Sequence, residues 1–365
     1  MSEDKNASGK ITCVSDYIKK INELINCKDE EKTLFLYRGE PKGYSMPCCP
    51  NIFRKGFLQK NEFYEKSLFN MMRQNRLTNS TSYLENAIDA QHGEFPSRLL
   101  DVSYNCLDAL YFAVTPYYHQ NADDLDGEDG VVYVFYINEV FSPSAKNTND
   151  NYDAIINKNQ KWFNNRIFSK NHKFIDHTKI NNRIIAQQGA FILFQGNDAE
   201  EIPRYMFSEL IIDKESKKLI RRELSLLFGI NTGAIYPEIV NLAKDLSQKS
   251  SFLITEEFNR KNEIGYVLGN LNKELQYYTD QLVSYQGELD DGVYFETVQN
   301  VEKQINSYRL GLIQFMNDDT ETDPSEVSAM RDLIIKQYDG MIKTFSTNIR
   351  NLCHIEITDD LYIEG

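Results

Sequence analysis

Apolar positions in the first part of the chain recur at two different spacings, which predicts both helices and strands. Five apolar residues at helical intervals predict a first helix that ends near Cys27: Ile11, Val14, Ile18, Ile21 and Leu24. Residues 33–37 and 130–137 are apolar, β-prone runs without a polar face. Such runs are typical of strands that are buried on both sides.

The middle of the chain continues this mixture. Residues 62–90 and 107–114 return to helical spacing. Residues 141–173 are polar and rich in asparagine, so we expect a long surface excursion there. Residues 183–194 predict two short strands or one bulged strand, and residues 209–212 predict a further strand.

The last third is helical throughout. Apolar residues repeat with alternating steps of four and three in three stretches, 264–289, 298–315 and 327–345. This is the a/d pattern of packed helices. Three such helices with short breaks predict an all-α antiparallel helical bundle or coiled coil that folds back on itself. The alternative is that its first helix pairs with a second copy of the chain, which makes a homo-oligomer.

Length and charge limit the possible functions. At 365 residues the chain exceeds what one core usually fills, so we predict an N-terminal helix (1–30), a mixed domain (31–247) and a helical bundle (250–365). A formal charge of −14 argues against general nucleic-acid binding. The six cysteines show no CxxC spacing, so no metal site is predicted. With no signal peptide and no apolar run of spanning length, we expect a soluble, cytoplasmic protein without membrane contact.

Polar side chains of several types concentrate just before the 107–114 helix. They are Gln91, His92, Arg98, Asp101 and Ser103. A loop pinned to a packed helix is a common way to present chemical groups. A second candidate is Arg38, which follows a buried strand and therefore needs an anionic partner. That partner is either a carboxylate such as Glu40 or a bound anion such as phosphate.

These candidates fall into four blocks: Tyr37-Arg38-Gly39, Gln91 to Asp101, Gln187 to Phe191, and residues 228–237. Their order and content resemble the FRG domain family, which is named for its Phe/Tyr-Arg-Gly motif. The resemblance covers residues 33 to about 245 and leaves out the bundle. This chain departs from the family at Val102-Ser103, where relatives usually carry Trp-Thr, and in its Asn-rich insertion.

A second resemblance is to the ADP-ribosyltransferase superfamily. Its members place Arg-Gly or His-Gly after a first strand, Ser or Thr on a strand that leads into a helix, and a catalytic Glu or Gln on a final strand. Arg38-Gly39, Ser103 and Gln188 follow that order. The resemblance implies an α+β fold, with an ADP-ribosyltransferase-like split β-sheet core and flanking helices, and it implies NAD as the cofactor.

The resemblance also implies roles for individual residues. The catalytic set is Arg38, His92 and Gln188, and the implied cofactor-binding set is Tyr37, Arg38, Gly39, Gln91, His92, Arg98, Asp101, Ser103 and Gln187. Breaking the bond between nicotinamide and ribose develops positive charge on the sugar, which a carboxylate normally stabilises. Gln188 offers an amide, so the negative charge is missing unless Asp101 or Glu94 supplies it.

Each residue also has a structural interpretation. Arg98 could pair with Asp101, Asp101 or Ser103 could cap the following helix, and the two glutamines could satisfy buried main-chain groups. Three functions therefore stay open. The first is an NAD-utilising ADP-ribosyltransferase or NAD glycohydrolase, a toxin or antiviral-defence effector that modifies a macromolecular acceptor, with the bundle recognising that acceptor or a trigger protein. The second is a non-catalytic nucleotide-binding or sensing module coupled to a helical interaction domain. The third is an interaction scaffold without a ligand.

Overall fold

The computed structural model describes residues 9–29, 31–78, 80–92, 95–115, 125–158, 166–177, 182–250, 252–253, 259–284, 291–318 and 324–364. The chain divides into two compact units, residues 1–251 and residues 252–365. The first unit combines a β-sheet with helices, and the described part of the second contains helices only. The predicted α+β class is therefore correct for the first unit, and the predicted all-α character is correct for the second.

One antiparallel sheet organises the first unit. Its strands in chain order are β1 (Leu34–Glu40), β2 (Leu99–Ser103), β3 (Gly130–Ile137), β4 (Lys173–Ile175), β5 (Gly189–Leu193) and β6 (Phe207–Ile212). In space they lie in the order β4-β5-β2-β1-β3-β6. β1 and β3, the two apolar runs of the sequence, lie side by side and pair along their length, from Leu34↔Ile137 to Glu40↔Val131.

The sheet is nearly divided between β1 and β2. β2 pairs with β5 over its whole length, from Leu99↔Leu193 to Ser103↔Gly189. In contrast, β1 and β2 pair only at Tyr37↔Ser103. Two three-stranded halves, β4-β5-β2 and β1-β3-β6, therefore meet at a single pair of residues, and the ladder stops beside residues 38–40.

Twelve helices surround the sheet in the described part of this unit. They are α1 (Val14–Asn26), α2 (Asn51–Arg54), α3 (Phe57–Lys60), α4 (Tyr64–Gln74), α5 (Tyr83–His92), α6 (Cys106–Val114), α7 (Lys146–Asn157), α8 (Arg166–Ser169), α9 (Asn182–Ala186), α10 (Lys217–Phe228), α11 (Thr232–Ile235) and α12 (Ile239–Ser250). On one face of the sheet, α1, α6 and α10 cover the β1 half. On the other half, α4, α5 and α7 form a separate core with β2, β4 and β5.

Helix α6 lies unusually close to the sheet. A Cβ atom built at Gly39 would stand 1.8 Å from the carbonyl oxygen of Ala109, and one at Gly130 would stand 2.3 Å from that of Ala113. Both glycines are therefore needed for the close approach of the helix. Asn105 caps the start of α6 by accepting a hydrogen bond from the Leu107 N–H. Neither Asp101 nor Ser103 is the cap, contrary to that alternative.

Three expectations about secondary structure were wrong. The polar stretch before α6 contains strand β2, because Leu100 and Val102 alternate into the core around Asp101. The Asn-rich excursion contains helix α7, which buries Tyr152 and two isoleucines. The first part of residues 183–194 is helix α9, and only Gly189–Leu193 is a strand.

The second unit contains three long helices, α13 (Arg260–Ser284), α14 (Asp291–Asp318) and α15 (Pro324–Cys353), around a shared apolar core. The Tyr338 hydroxyl of α15 donates a hydrogen bond to the Ile305 carbonyl of α14, 3.2 Å away. These two residues lie at similar distances along the chain from the break between the helices, so α14 and α15 run antiparallel. In the part of the chain that the structure describes, no helix has the length and apolar character to cross a membrane.

Candidate functional site

Arg38 occupies the place where the ladder between β1 and β2 ends. Its Nη1 donates to the main-chain carbonyl of Asp101, 2.7 Å away on the other half of the sheet. Its Nε donates to the Glu40 carboxylate at 3.3 Å. No described residue accepts a hydrogen bond from its Nη2. The side chain thus bridges the opening, and one terminal nitrogen stays available there.

Glu40 is the carboxylate that compensates the charge of Arg38. It is 1% exposed and also accepts from Arg54 at 3.4 Å and from the Cys48 N–H at 3.4 Å. Burial opposes the charge of Arg38, but Glu40, Cys48 and Asp101 together hold its pKa above the ordinary value. The ion pair with Glu40 was one of the two interpretations of Arg38 in the sequence, and it is present. It does not exclude the second interpretation, a bound anion, because it uses only the Nε of Arg38.

Asp101 lies on β2 beside the opening between β1 and β2, which we call the recess. Residues two apart on a strand share a face, so Asp101 shares the face of Leu99 and Ser103. Leu99 packs under α4 and α5, whereas Tyr37, opposite Ser103, packs under α6. Asp101 therefore lies between the two groups of helices. Its side chain is exposed, yet burial raises its pKa against the opposing effect of Arg38 and Arg183. Protein atoms therefore lie around this carboxylate, although solvent still reaches it.

Ser103 is fully engaged by protein. Its hydroxyl donates to the Gln187 carbonyl at 2.7 Å and accepts from the Asn105 N–H at 2.9 Å. The Gln187 carboxamide in turn donates to the Ile235 carbonyl at 3.1 Å. Ser103 and Gln187 therefore connect the beginnings of β5 and α6 to α11 through hydrogen bonds. Their contacts are structural.

Gln188 differs from its neighbour Gln187. Its φ of 44° lies in the left-handed region, which residues with a Cβ rarely adopt. Its main-chain carbonyl accepts from the Tyr104 N–H at 2.9 Å. The side chain is exposed, and no described residue hydrogen-bonds its carboxamide. Strained backbone that presents an unengaged polar group is characteristic of functional positions.

Arg183 is a further charged residue that acts on Asp101, and it was missed from the sequence. It lies on α9, 8% exposed, with its guanidinium 4.5 Å over the Tyr236 ring and its Nε 3.3 Å from Glu238. The positive charge of Arg183 lowers the pKa of Asp101 and so opposes the effect of burial there. The interpretation of residues 183–194 as strands obscured Arg183. The neighbouring Tyr236-Pro237 signal was recognised, but its partner was not.

Arg98 does not belong to the recess. It is 1% exposed, and its Nε donates to Glu65 at 2.6 Å. Its Nη1 donates to the carbonyls of Phe194 and Gly196, at 3.1 and 3.0 Å. Since these buried protein groups surround the guanidinium, the predictions that Arg98 binds a cofactor or pairs with Asp101 are both wrong.

The remaining predicted residues have mainly structural contacts. The Gln91 carboxamide donates to the Ser97 hydroxyl at 2.9 Å and to the Leu99 carbonyl. Tyr37 is buried under α6, and burial raises its pKa to about 12. Gly39 permits the approach of α6, so for Tyr37 and Gly39 the assignment to cofactor binding does not fit their positions. The side chain of His92, like Glu94 as a whole, lies outside the described residues.

A second unusual carboxyl group lies in the first turn of α6. Asp108 is 2% exposed, and one of its oxygens has no hydrogen-bond partner among the described residues. Burial raises its pKa to about 7, although a hydrogen bond with Asn105 opposes this shift. No group of three or more potential metal-ligating side chains occurs in the described ranges.

Residues 33–122 match the family model of the FRG domain. This part of the chain is similar to the FRG domain, and the similarity includes the Tyr37-Arg38-Gly39 motif. The match contains Arg38, Asp101 and Ser103, but it ends before Arg183 and Gln188. Neither the curated proteins nor the solved structures include a match to this chain.

Proposed function

We propose that the first unit is an NAD-utilising, ADP-ribosyltransferase-like domain that transfers ADP-ribose to a macromolecular acceptor or to water. The observation that carries the proposal is the divided sheet, with Arg38 on β1 and Ser103 on β2 at the division. Gln188 lies just before β5, the strand on the other side of β2. The division of the sheet supports the proposal, because the ADP-ribosyltransferase resemblance implies a split core. An effector role in a toxin or antiviral-defence system is part of the same proposal.

The available groups suit a nucleotide. Arg38 retains a terminal nitrogen for a phosphate oxygen, and guanidinium groups are well matched to phosphate. The unengaged carboxamide of Gln188 can donate to and accept from ribose hydroxyls. In the reaction the bond between C1′ and the nicotinamide nitrogen breaks, its electron pair stays on nicotinamide, and the acceptor oxygen bonds to C1′ and releases its proton to solvent. The protein's task is to orient the ribose and stabilise its developing charge.

The second candidate is a non-catalytic nucleotide-binding or sensing module whose occupancy is transmitted through the helical unit. The amide at Gln188 favours it, because a neutral group lacks the electrostatic contribution of a carboxylate. On this proposal the recess binds nucleotide without turnover. The two candidates share a ligand and differ in whether the ligand is consumed.

Incubation of the purified full chain with labelled NAD, with and without cell lysate, distinguishes them. We expect release of nicotinamide, together with a rise in the thermal midpoint on adding NAD. The variant Gln188→Glu introduces the missing carboxylate at an exposed position, so it should raise nicotinamide release by about 10-fold or more. The matched variant Gln188→Asn keeps an amide in a residue type that tolerates the left-handed region, and it should give no increase. Binding without release in the parent protein and in Gln188→Glu supports the sensing module, and absence of binding refutes both candidates.

A further inference from the structure

The Asp101 carboxylate has no hydrogen-bond or ion-pair partner among the residues that the structure describes. Among the described residues no side chain hydrogen-bonds it, and no cationic nitrogen lies within 4.0 Å of it. This is unexpected, since the guanidinium groups of Arg38 and Arg183 are both close enough to influence it. Its own main-chain carbonyl, and not its carboxylate, receives the hydrogen bond from Arg38. The carboxylate is therefore free to accept hydrogen bonds from a ligand.

The position of Asp101 is fixed rigidly. It is the central residue of β2, flanked by Leu100 and Val102 in the core, and it is in register with Phe191 on β5. Arg38 holds its carbonyl from the other side. A side chain anchored on a paired strand is more precisely placed than one on a loop. A ligand that enters between the two groups of helices meets this carboxylate in the recess.

We propose that Asp101 is the negatively charged residue of the nucleotide site: its carboxylate accepts hydrogen bonds from the ribose hydroxyls and lies beside the positive charge that develops on that ribose. This inference rests on the proposed function and deepens it, because it names the group that supplies the charge absent at Gln188. It also specifies the ligand chemistry, which is a sugar with neighbouring hydroxyl donors linked to a phosphate.

The effect of Asp101 on the stability of the ligand-free protein distinguishes a binding role from a structural one. In the protein without ligand, burial makes ionised Asp101 unfavourable, and the pKa is raised. A raised carboxyl pKa means that the folded protein binds the proton more tightly than the unfolded chain, so Asp101 lowers stability as pH rises through its folded pKa. Arg38 and Arg183 are the charged groups that face it, and they reduce this effect without cancelling it. A residue kept for structure should instead stabilise the protein.

The test uses the full chain and the variant Asp101→Asn, which keeps the side-chain shape and the carbonyl that binds Arg38. We expect nicotinamide release to fall by about 100-fold or more, and we expect the NAD-free thermal midpoint at pH 8 to be at least as high as in the parent protein. If the parent binds NAD without consuming it, the expected effect is instead a loss of NAD affinity of about 10-fold or more. Glu23→Gln removes one charge from the exposed surface of α1, where Glu23 pairs with Lys20, and serves as the control that should change neither quantity.

The double variant Asp101→Asn/Gln188→Glu provides the discriminating comparison. A carboxylate at position 188, just before β5, should recover part of the release lost in Asp101→Asn, an outcome that repair of folding does not produce. If the parent consumes NAD and Asp101→Asn retains its rate and affinity, the role of Asp101 is refuted while the proposed function stands. If the midpoint of Asp101→Asn falls at pH 8 together with activity, Asp101 is structural. If the parent neither binds nor consumes NAD, the proposed function fails first and this inference fails with it.

Discussion

The buried ion pair between Arg98 and Glu65 gives the sharpest stability prediction. Both residues are 1% exposed. Glu65 accepts three hydrogen bonds, from the Arg98 Nε at 2.6 Å, from the Arg98 main-chain N–H at 2.9 Å and from the Tyr152 hydroxyl at 2.8 Å. The Arg98 guanidinium also donates to main-chain carbonyls after β5. The pair therefore joins α4, α7, β2 and the end of β5.

The magnitude of its disruption follows from these contacts. Arg98→Met leaves the Glu65 carboxylate buried without its cation, which typically costs about 3–5 kcal/mol. Main-chain carbonyls that lose a donor add about 1 kcal/mol each. The total approaches the entire stability of a typical domain, which is about 5–15 kcal/mol. Arg98→Met is therefore expected to unfold the first unit partly or completely under mild conditions.

Replacing both partners should be much less harmful than the sum of the single changes. The double variant Arg98→Met/Glu65→Leu removes both charges, and no buried ion is left alone. We expect an interaction energy of about 2–3 kcal/mol in the double-mutant cycle. Urea titration, with hydrogen exchange of β2 and β5 as the readout, measures the free energy of unfolding of the first unit separately from that of the helical unit. In the control Arg204→Ala, which breaks a pair whose arginine is 69% exposed, the loss should stay below about 1 kcal/mol. A loss below about 1 kcal/mol for Arg98→Met, or additivity in the cycle, would contradict this account.

Two further stability predictions concern α6. Gly39→Ala places a methyl group 1.8 Å from the Ala109 carbonyl, so we expect a loss of about 3 kcal/mol or more in urea titration. Gly311→Ala, which has open space around it in helix α14, should instead gain about 0.5–1 kcal/mol, and equal effects would refute the steric argument. Burial raises the pKa of Asp108 to about 7 from 3.8, so the contribution of Asp108 to stability should fall as pH rises from about 4 to 7. Asp108→Asn should therefore stabilise by about 2–4 kcal/mol at pH 8 and change little at pH 4. A gain in stability that is independent of pH would refute the assignment of a raised pKa to Asp108.

Elements with one strong periodicity were predictable from the sequence. β1 and β3 are continuous apolar runs, and both are central strands of the sheet. The helices of the second unit follow their a/d repeats closely, because each repeat becomes a buried stripe such as Ile264, Leu268, Leu271 and Leu275. In these segments local pattern and tertiary burial agree, which is why the pattern was sufficient.

Elements that depend on distant partners were not predictable in the same way. β2 contains an accessible aspartate, and it is a strand because β5 supplies its ladder from about ninety residues away. Helix α7 is polar in composition, but Tyr152 reaches Glu65 on α4. Arg183 was hidden because its contacts to Tyr236 and Glu238 lie some fifty residues further along the chain. Spacing within one segment carries no information about such partners.

The two arginines of the FRG segment show how function can be separated from structure where motifs alone do not suffice. Both belong to blocks that match the family, and both pair with a carboxylate that is 1% exposed. Arg98 lies among buried protein acceptors at the end of β5. Arg38 binds the Asp101 main-chain carbonyl, and within the described ranges its Nη2 and the Asp101 carboxylate have no hydrogen-bond partner. A buried arginine whose hydrogen bonds all end on protein stabilises the fold. One that reaches into an opening in the sheet with unused donors is positioned for an anion. Substitution of Arg98 should therefore unfold the first unit and abolish ligand binding with it. Ligand binding in the folded protein should instead depend on Arg38 and Asp101.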